Sequence, residues 1–531
     1  MLARVQSFVL QGIDASPCEV EINIDERGIE ERRAPTIVGL PDTSVRESTE
    51  RVKSALSNAG FDLPWGRMTV NLAPADVRKE CAVYELPMAV GMLLAAGVIA
   101  QPSPARAPSS TAHADQRPEG LDHRKLLFAG ELALDGRVRP IRGAIALAAL
   151  ARARGFQGVV VPADNADEAG VVQEIEVHAV RTLTEVVGLL TAALDPRPHP
   201  AVDIASLIEG SPADIDFAEV RGQEAVKRAL TIAAAGEHNL LMLGPPGTGK
   251  TMMAKALPGI LPLMSPDEAL EVTRVFSAAG KLIAGADSAA APGGLVTRRP
   301  VRMPHHTASA AAIIGGGIVP RPGEISLAHR GVLFLDELAE FPRFVLDTLR
   351  QPLEDGHVTI SRAHGSVRFP ASFMLIAAMN PTPKGTMPDT DHGRREMERY
   401  LARVSGPLID RVDIHVEVPA VPWKDLQQTA PGTSTTQMRD RVFAARRRQR
   451  DRQGPALNAR LSGRELDALA PLDDDARTLL GQAMTELGLS ARAYDKLRRV
   501  SRTIADLDDA DSIGLRHISE AIQYRLLDRR L

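Results

Sequence analysis

The sequence predicts an α/β chain that ends in a mostly helical segment. From about Asp216, runs with helical spacing alternate with short apolar runs, the pattern of a parallel sheet flanked by helices. One of those apolar runs, Leu240–Leu243, passes directly into a glycine-rich turn. After about Pro422 the spacing of apolar residues is helical almost to the end. Residues 1–100 mix strand-like and helix-like runs.

In chain order, Val20–Ile24 alternates as a strand, and Ser44–Ala59 carries Val45, Val52, Ala55 and Leu56 at helical spacing. Met68–Leu72 is a second strand. Gln101–Gly120, rich in Pro, Ser and Ala, reads as a flexible loop. Leu126–Leu134 and Val159–Val161 read as strands around an Ala-rich helix, Gly143–Ala153. The Pro-rich break at Asp195-Pro-Arg-Pro-His-Pro marks a domain boundary. The expected division is 1–195, a linker over 196–215, a nucleotide-binding core over 216–422 and a helical domain over 423–531. Within the last, Thr435–Arg452 is a strongly basic helix, followed by helices near 463–470, 474–486, 491–507 and 515–528.

Composition excludes several classes. A length of 531 residues accommodates about three or four domains. No apolar run reaches the roughly 18 residues of a membrane span; the longest, Met88–Ala100, holds Gly91 and Gly97. The N-terminus lacks the apolar core and cleavage site of a secretory signal, and Cys18 and Cys81 alone cannot make a disulfide framework or a cysteine zinc site. A cytoplasmic protein without membrane contact is expected. A net charge of −4 shows no bulk polycation, and aromatics at 3% argue against stacking on a run of exposed rings.

Residues 244–251 read Gly244-Pro245-Pro246-Gly247-Thr248-Gly249-Lys250-Thr251, a P-loop in its proper place between strand and helix. Its glycines let backbone N–H groups face phosphates, and the helix N-terminus favours the anion. Lys250 would reach the β- and γ-phosphates of ATP, and Thr251 would hold Mg²⁺. About 85 residues on, the apolar run Val332–Leu335 ends in Asp336 and Glu337. Asp336 fits the acid that orders Mg²⁺, and Glu337 would polarise the attacking water. Phe373–Asn380 is an apolar strand whose terminal amide would lie at the γ-phosphate if the strand neighbours that of the P-loop; the alternative is a strand cap. Arg411, in Pro407-Leu-Ile-Asp-Arg-Val-Asp, would complete a neighbouring subunit's site, or else pair with Asp410 or Asp413. Arg492, at the head of a late helix, would sense the nucleotide from the lid, or simply be a solvated helix arginine.

Taken together these pieces resemble an AAA+ ATPase of the magnesium-chelatase-like branch, and within it the YifB/ComM family. The resemblance spans nearly the whole chain, through strings such as IVGLPDTSVRES (37–48), NLAPAD (71–76), FAGELALDGRVRPIRG (128–143), PHHTAS, RPGEISLAHRGVLFLDEL, LRQPLEDG and LSARAYDKLRRVSRTIADL. It implies an N-terminal Lon-protease-like α+β domain, an AAA+ P-loop αβα core and a C-terminal helical lid. Lys250 and Thr251 then belong to Walker A, and Asp336 and Glu337 to Walker B. Asn380 takes the sensor 1 place, Arg411 the arginine-finger place and Arg492 the sensor 2 place. ATP and Mg²⁺ are the implied cofactors. A homo-hexamer acting on DNA in a sequence-independent way is the implied assembly, promoting branch migration beside recombination proteins. A chelatase-type remodelling ATPase and a protein-unfolding adaptor are the alternatives.

Two departures from the family pattern matter. Many members carry a cysteine cluster after the sensor 1 strand, whereas residues 381–398 here hold no Cys. At the places of the Lon catalytic serine and lysine stand Glu85 and Ile145, so no Ser–Lys pair can form and the domain is expected to be non-proteolytic. Two insertions are candidate pore loops. Val296–Arg330 holds Arg298, Arg299, Arg302, His305, His306 and Gly315–Gly317. Gly356–Phe369 alternates as a hairpin, with Arg362, His364 and Arg368 expected near its tip. The other reading of these charges is solvated loops or intersubunit pairs.

Overall fold

The computed structural model describes residues 1–25, 36–39, 43–62, 67–75, 79, 82–100, 120–209, 215–282, 294–317, 319–362, 365–382, 400, 403–404, 406–421 and 432–525. The loop expected over 101–120 (Gly120 apart), Cys81, His364 and most of 381–398 lie outside these residues. The chain divides into two compact units. The first comprises Met1–Leu207 and Pro266–Thr297, the second Ile208–Ser265 and Arg298–Leu531.

The first unit is built on a seven-stranded mixed sheet. Its order is Thr36–Val38, Arg67–Ala73, Asp14–Asp25, Leu2–Gln11, Leu126–Phe128, Gly158–Pro162 and Glu176–Val180. Leu2–Gln11 and Asp14–Asp25 form a long antiparallel hairpin whose alternation buries Val5, Val20, Ile22 and Ile24. Against this hairpin packs the helix Glu85–Ala95, every residue of which is buried. That burial explains why its apolar run has no polar face: it is a core helix, and no helix among the described residues is long and apolar enough to cross a membrane. The strand expected over Leu126–Leu134 stops at Phe128. The chain then turns at Gly130, where a Cβ would lie 2.8 Å from Val138 Cγ1, and Glu131–Leu132 pairs separately with Val138–Arg139.

Glu85 and Ile145 both have structural partners. The buried Glu85 carboxylate accepts hydrogen bonds from Ser48 Oγ (2.7 Å), Arg51 Nε (2.8 Å) and the Leu132 N–H (2.7 Å). Burial pushes its pKa up, and these donors pull against that shift. Ile145 is buried in the helix Ala144–Arg154, and its N–H donates to Glu168 (2.9 Å). Glu168 thus serves the unsatisfied donors at that helix N-terminus. It also accepts from Asn165 Nδ2 (3.0 Å) and Ser277 Oγ. Ser277 belongs to the helix Pro266–Ala279, and its hydroxyl also accepts from the Gly143 N–H (2.9 Å). A segment more than a hundred residues downstream is pinned into this unit by a fully partnered buried network.

The second unit holds a five-stranded, all-parallel sheet in the order Val301–Arg302, Val332–Leu335, Met374–Met379, Leu240–Leu243, Ile414–Glu417. The central strands are buried along their whole length, as a sheet covered on both faces requires. One apolar core runs from Val226 and Leu230 on the helix Glu224–Gly236, through Met242 and Ile376 in the sheet, to Val442, Leu497 and Ile504 on the C-terminal helices. Those helices are Thr435–Gln453, Gly463–Leu469, Asp474–Glu486, Ala491–Leu507 and Leu515–Gln523. The last ends at Gln523, short of the expected 528, of which residues 526–528 lie outside the described range.

A polar tie joins sheet and helices at Asp413. Its carboxylate accepts the Asn239 N–H (3.1 Å) and lies 3.5 Å from Lys496 Nζ and 3.7 Å from His238 Nδ1. Burial pushes this acid up, but Lys496, His238 and the Asn239 N–H outweigh it and hold the group well below the usual carboxylate range. Lys496 also donates to the carbonyls of Asp410 and Val412. Removing the acid would strand a buried ammonium, a defect of about 3–5 kcal/mol. Asp413→Ala should therefore speed hydrogen exchange in Ile414–Glu417 by at least about a hundredfold at neutral pH. Because the folded-state pKa is depressed, the gap from wild type should begin to narrow as pH falls below about 4, where the unfolded carboxylate gains its proton, and close as pH falls through the lower folded-state value.

Candidate functional site

Strand register builds the site. Leu243 pairs with Met379, and Leu335 with Ala377, so three parallel strands end at one edge of the sheet. The next residues, Gly244, Asp336 and Asn380, emerge there together. Asn380 falls between the other two because its strand lies between theirs, which meets the sequence condition that it neighbour the P-loop strand. Such a carboxyl edge is where open parallel sheets bind ligands.

The P-loop needs its glycines for two reasons. Gly247 and Gly249 have φ of +78° and +85°, which favour glycine, and Gly249 caps the helix Lys250–Ala256. At Gly244 the constraint is space, since a Cβ would meet the Val418 carbonyl oxygen at 2.2 Å. The buried Lys250 directs its ammonium at the carbonyls of Gly244 and Pro245 (both 2.7 Å) and at Asn380 Oδ1 (3.3 Å). Burial lowers its pKa, and the nearby Asp336 opposes the shift. Thr251 Oγ1 donates to Asp336 Oδ2 at 2.7 Å, while Asp336 Oδ1 accepts the Glu337 N–H. Asp336 thus pairs with the hydroxyl expected to share a metal with it, an oxygen pair that suits Mg²⁺.

Glu337 stands at φ +52°, an uncommon conformation for a side-chain-bearing residue that costs about 1–3 kcal/mol. It turns its carboxylate to His306, whose Nδ1 lies 3.2 Å from Glu337 Oε2. His306 stacks beside His305 (centroids 4.1 Å apart) and meets the edge of Phe341. In the sequence His306 reads only as part of the insertion Val296–Arg330; no metal-binding cluster of His, Cys, Asp and Glu occurs among the described residues.

Arg411 and Arg492 lie elsewhere. They line a cavity of about 340 Å³ with Glu237, Glu354, Lys496 and Arg499, and none of its lining residues belongs to 244–251. Arg411 pairs with neither Asp410 nor Asp413. Its guanidinium donates to Glu354 Oε1 (2.5 Å) and the Pro407 carbonyl (2.6 Å). Arg492 is largely exposed, with Nη1 3.5 Å from Asp410 Oδ2. No local pattern marks Glu354, whose partner is 57 residues away in sequence.

The candidate pore insertions divide. The hairpin forms, with His357–Arg362 paired antiparallel to Gly365–Pro370. Arg368, however, pairs with Thr359 and contacts His357 rather than reaching the tip. Arg299 donates to the carbonyls of Pro262 and Arg330, and Arg302 makes a two-pronged pair with Glu324 (2.6 and 3.0 Å). These two arginines brace the fold.

A P-loop on a parallel sheet of this strand order, with two acids ending the strand one place beyond the P-loop strand's neighbour, defines a P-loop nucleotide-binding protein. Family comparison narrows the class. Residues 216–426 match the model "Magnesium chelatase, subunit ChlI", residues 20–165 "Subunit ChlI of Mg-chelatase", and residues 432–525 "Magnesium chelatase, subunit ChlI C-terminal". The chain is 41% identical to competence protein ComM of Haemophilus influenzae, over 100% of this chain and 98% of that one. It is 42% identical to YifB of Salmonella typhimurium over the same shares. The 38 kDa magnesium-chelatase subunit of Rhodobacter capsulatus is 26% identical over 59% of this chain and 87% of its own. The chain belongs to the YifB/ComM family of magnesium-chelatase-like proteins, an AAA+ ATPase family. Replacing Lys250 with Ala removes a charged donor from the phosphate cradle, so ATP affinity should fall about a hundredfold in a fluorescent-nucleotide titration.

Proposed function

We propose that this chain is an ATP-hydrolysing motor that works as a homo-hexameric ring on DNA. The observation that carries the reading is the separation just described. Lys250, Thr251, Asp336 and Asn380 converge at the sheet edge, whereas Arg411 and Arg492 share a different cavity. A site divided this way is completed by a second copy, whose phosphate site meets the two arginines. Both arginines then act on the neighbour's nucleotide, and Arg492 reads it in trans with Arg411.

Within one protomer the roles follow from position. The P-loop N–H groups and Lys250 would hold the β- and γ-phosphates. Thr251 and Asp336 would hold Mg²⁺, which when bound neutralises phosphate charge. Glu337 would orient the attacking water once turned from His306, and Asn380 would sense the γ-phosphate. Arg411, released from Glu354, would stabilise charge on the transferring phosphoryl group. Loss of the γ-phosphate removes what both Asn380 and the neighbour's Arg411 engage, and the interface reopens.

Full-length likeness to a protein named for competence supports DNA as the substrate and helicase-type branch migration in recombination as the task. The cytoplasm is the matching location. The domain reading is a Lon-protease-like region over 1–195, a linker over 196–215, an AAA+ core over 216–422 and a helical lid over 423–531. The first is non-proteolytic, since Glu85 and Ile145 offer no nucleophile and no proton shuttle. A remodelling ATPase resembling the chelatase subunit is the second reading; the Rhodobacter likeness over 59% of the chain favours it.

Single-stranded DNA should stimulate the ATPase in a salt-sensitive way. No stimulation, with activity gained only from a protein partner, would favour the second reading. Glu337→Gln should retain ATP and the assembled ring while turnover falls about 10²–10⁴-fold. Arg411→Ala should lose about 10³-fold or more in turnover. Mixing it with Lys250→Ala protein should restore part of that activity, because each protomer supplies what the other lacks. No restoration would place Arg411 outside the neighbour's site.

A further inference from the structure

The basic helix Thr435–Gln453 has no part in the site described above. It is well founded without its arginines. Ser434 and Gln437 form a capping box, and Met438, Val442, Ala445 and Gln449 are buried along one face. Three of its arginines have structural partners. Arg446 donates to the Ala234 carbonyl, Arg448 pairs with Asp509, and Arg452 holds Asp506 through two bonds.

Arg439, Phe443, Arg447 and Arg450 are different. Their spacing of i, i+4, i+8 and i+11 sets them in one row about 16 Å long. Arg447 and Arg450 are exposed and Arg439 is half-buried. Phe443 is 40% exposed. Among the described residues, no carboxylate lies within ion-pair distance of these three arginines, although Asp440 and Asp451 stand on the same helix. Helix stability does not account for the row. Arg447 and Arg450 are like charges at i, i+3 and repel. Cations favour the C-terminal turn of a helix, whereas Arg439 lies in the second turn from the N-terminus, where the dipole gives it no support.

From this row we infer a docking track for the sugar–phosphate backbone of a nucleic acid, distinct from the ring's pore loops. Unpaired guanidinium groups present forked donors to phosphate oxygens. An exposed phenyl ring among them offers an apolar contact to sugar or base, in a chain with few aromatics. Contacts of this kind carry no sequence preference and release counterions. The inference rests on the proposal that the chain acts on DNA.

The test uses the full-length protein, a 40-base-pair mixed-sequence duplex and the matching single strand, titrated at several salt concentrations without nucleotide. Arg439→Ala/Arg447→Ala/Arg450→Ala should weaken duplex binding at least about tenfold and flatten the log–log salt slope by about 2 to 3, at about 0.9 per lost phosphate contact. The corresponding triple Arg→Lys variant should keep most of the slope. Circular dichroism and the thermal midpoint should match wild type in both. Wild-type protein that binds neither DNA form would sink the DNA-motor reading as well as this one. Wild-type binding with an unchanged slope in the alanine variant would overturn the track alone. Poly-glutamate bound as tightly as duplex and lost equally in the alanine variant would instead assign the row to an acidic polypeptide.

Discussion

Everything at the nucleotide site depends on the register of a parallel sheet. Leu243 and Met379 finish their strands at one level and Leu335 two residues short of it, so the residues that follow reach the same edge of the sheet. Two short contacts report the result: Thr251 to Asp336 at 2.7 Å and Lys250 to Asn380 at 3.3 Å. A shift of one residue in any of these pairings would turn a functional side chain to the opposite face of its strand. The buried apolar runs that give the strands no polar alternative are thus also what aligns the chemistry.

Charge is held in check at both halves of the proposed machine. Glu337 faces His306, and Arg411 faces Glu354 and a carbonyl. Each of these two groups has a partner, and neither is locked into a fully buried pair. Contacts of this exposed kind are worth little energetically, so they can be exchanged for stronger ones at small cost. Asp413 and Lys496 work differently. Their pairing is nearly buried, and it clamps the backbone on either side of Arg411 to the helix that carries Arg492. The two arginines are thereby held on one frame, the helix Ala491–Leu507 and the strand Ile414–Glu417.

The arginines of this chain show how one residue type takes several roles. Arg299, Arg302, Arg446 and Arg452 brace carbonyls and carboxylates inside the fold. Arg51 satisfies a buried Glu85. Arg439, Arg447 and Arg450 have no such partner among the described residues. Composition could not separate these groups, because partnership is a property of position and not of residue type.

Local pattern was enough for the P-loop, the acid-ended strand, the helices of the C-terminal region and the hairpin at 357–370, since each is encoded by neighbours within about ten residues: periodicity, glycine spacing and caps. The family motifs extended this to Asn380, Arg411 and Arg492 as candidates. Only the folded chain decided that Arg368 sits away from the tip of its hairpin, that Pro266–Ala279 joins the first unit through Ser277 and Glu168, that Glu337 meets His306, and that Arg411 rests on Glu354 beside Arg492. Each of these joins residues by a fold-dependent contact or register, many of them far apart in sequence, and no local periodicity encodes a partner reached only when strands and helices have packed.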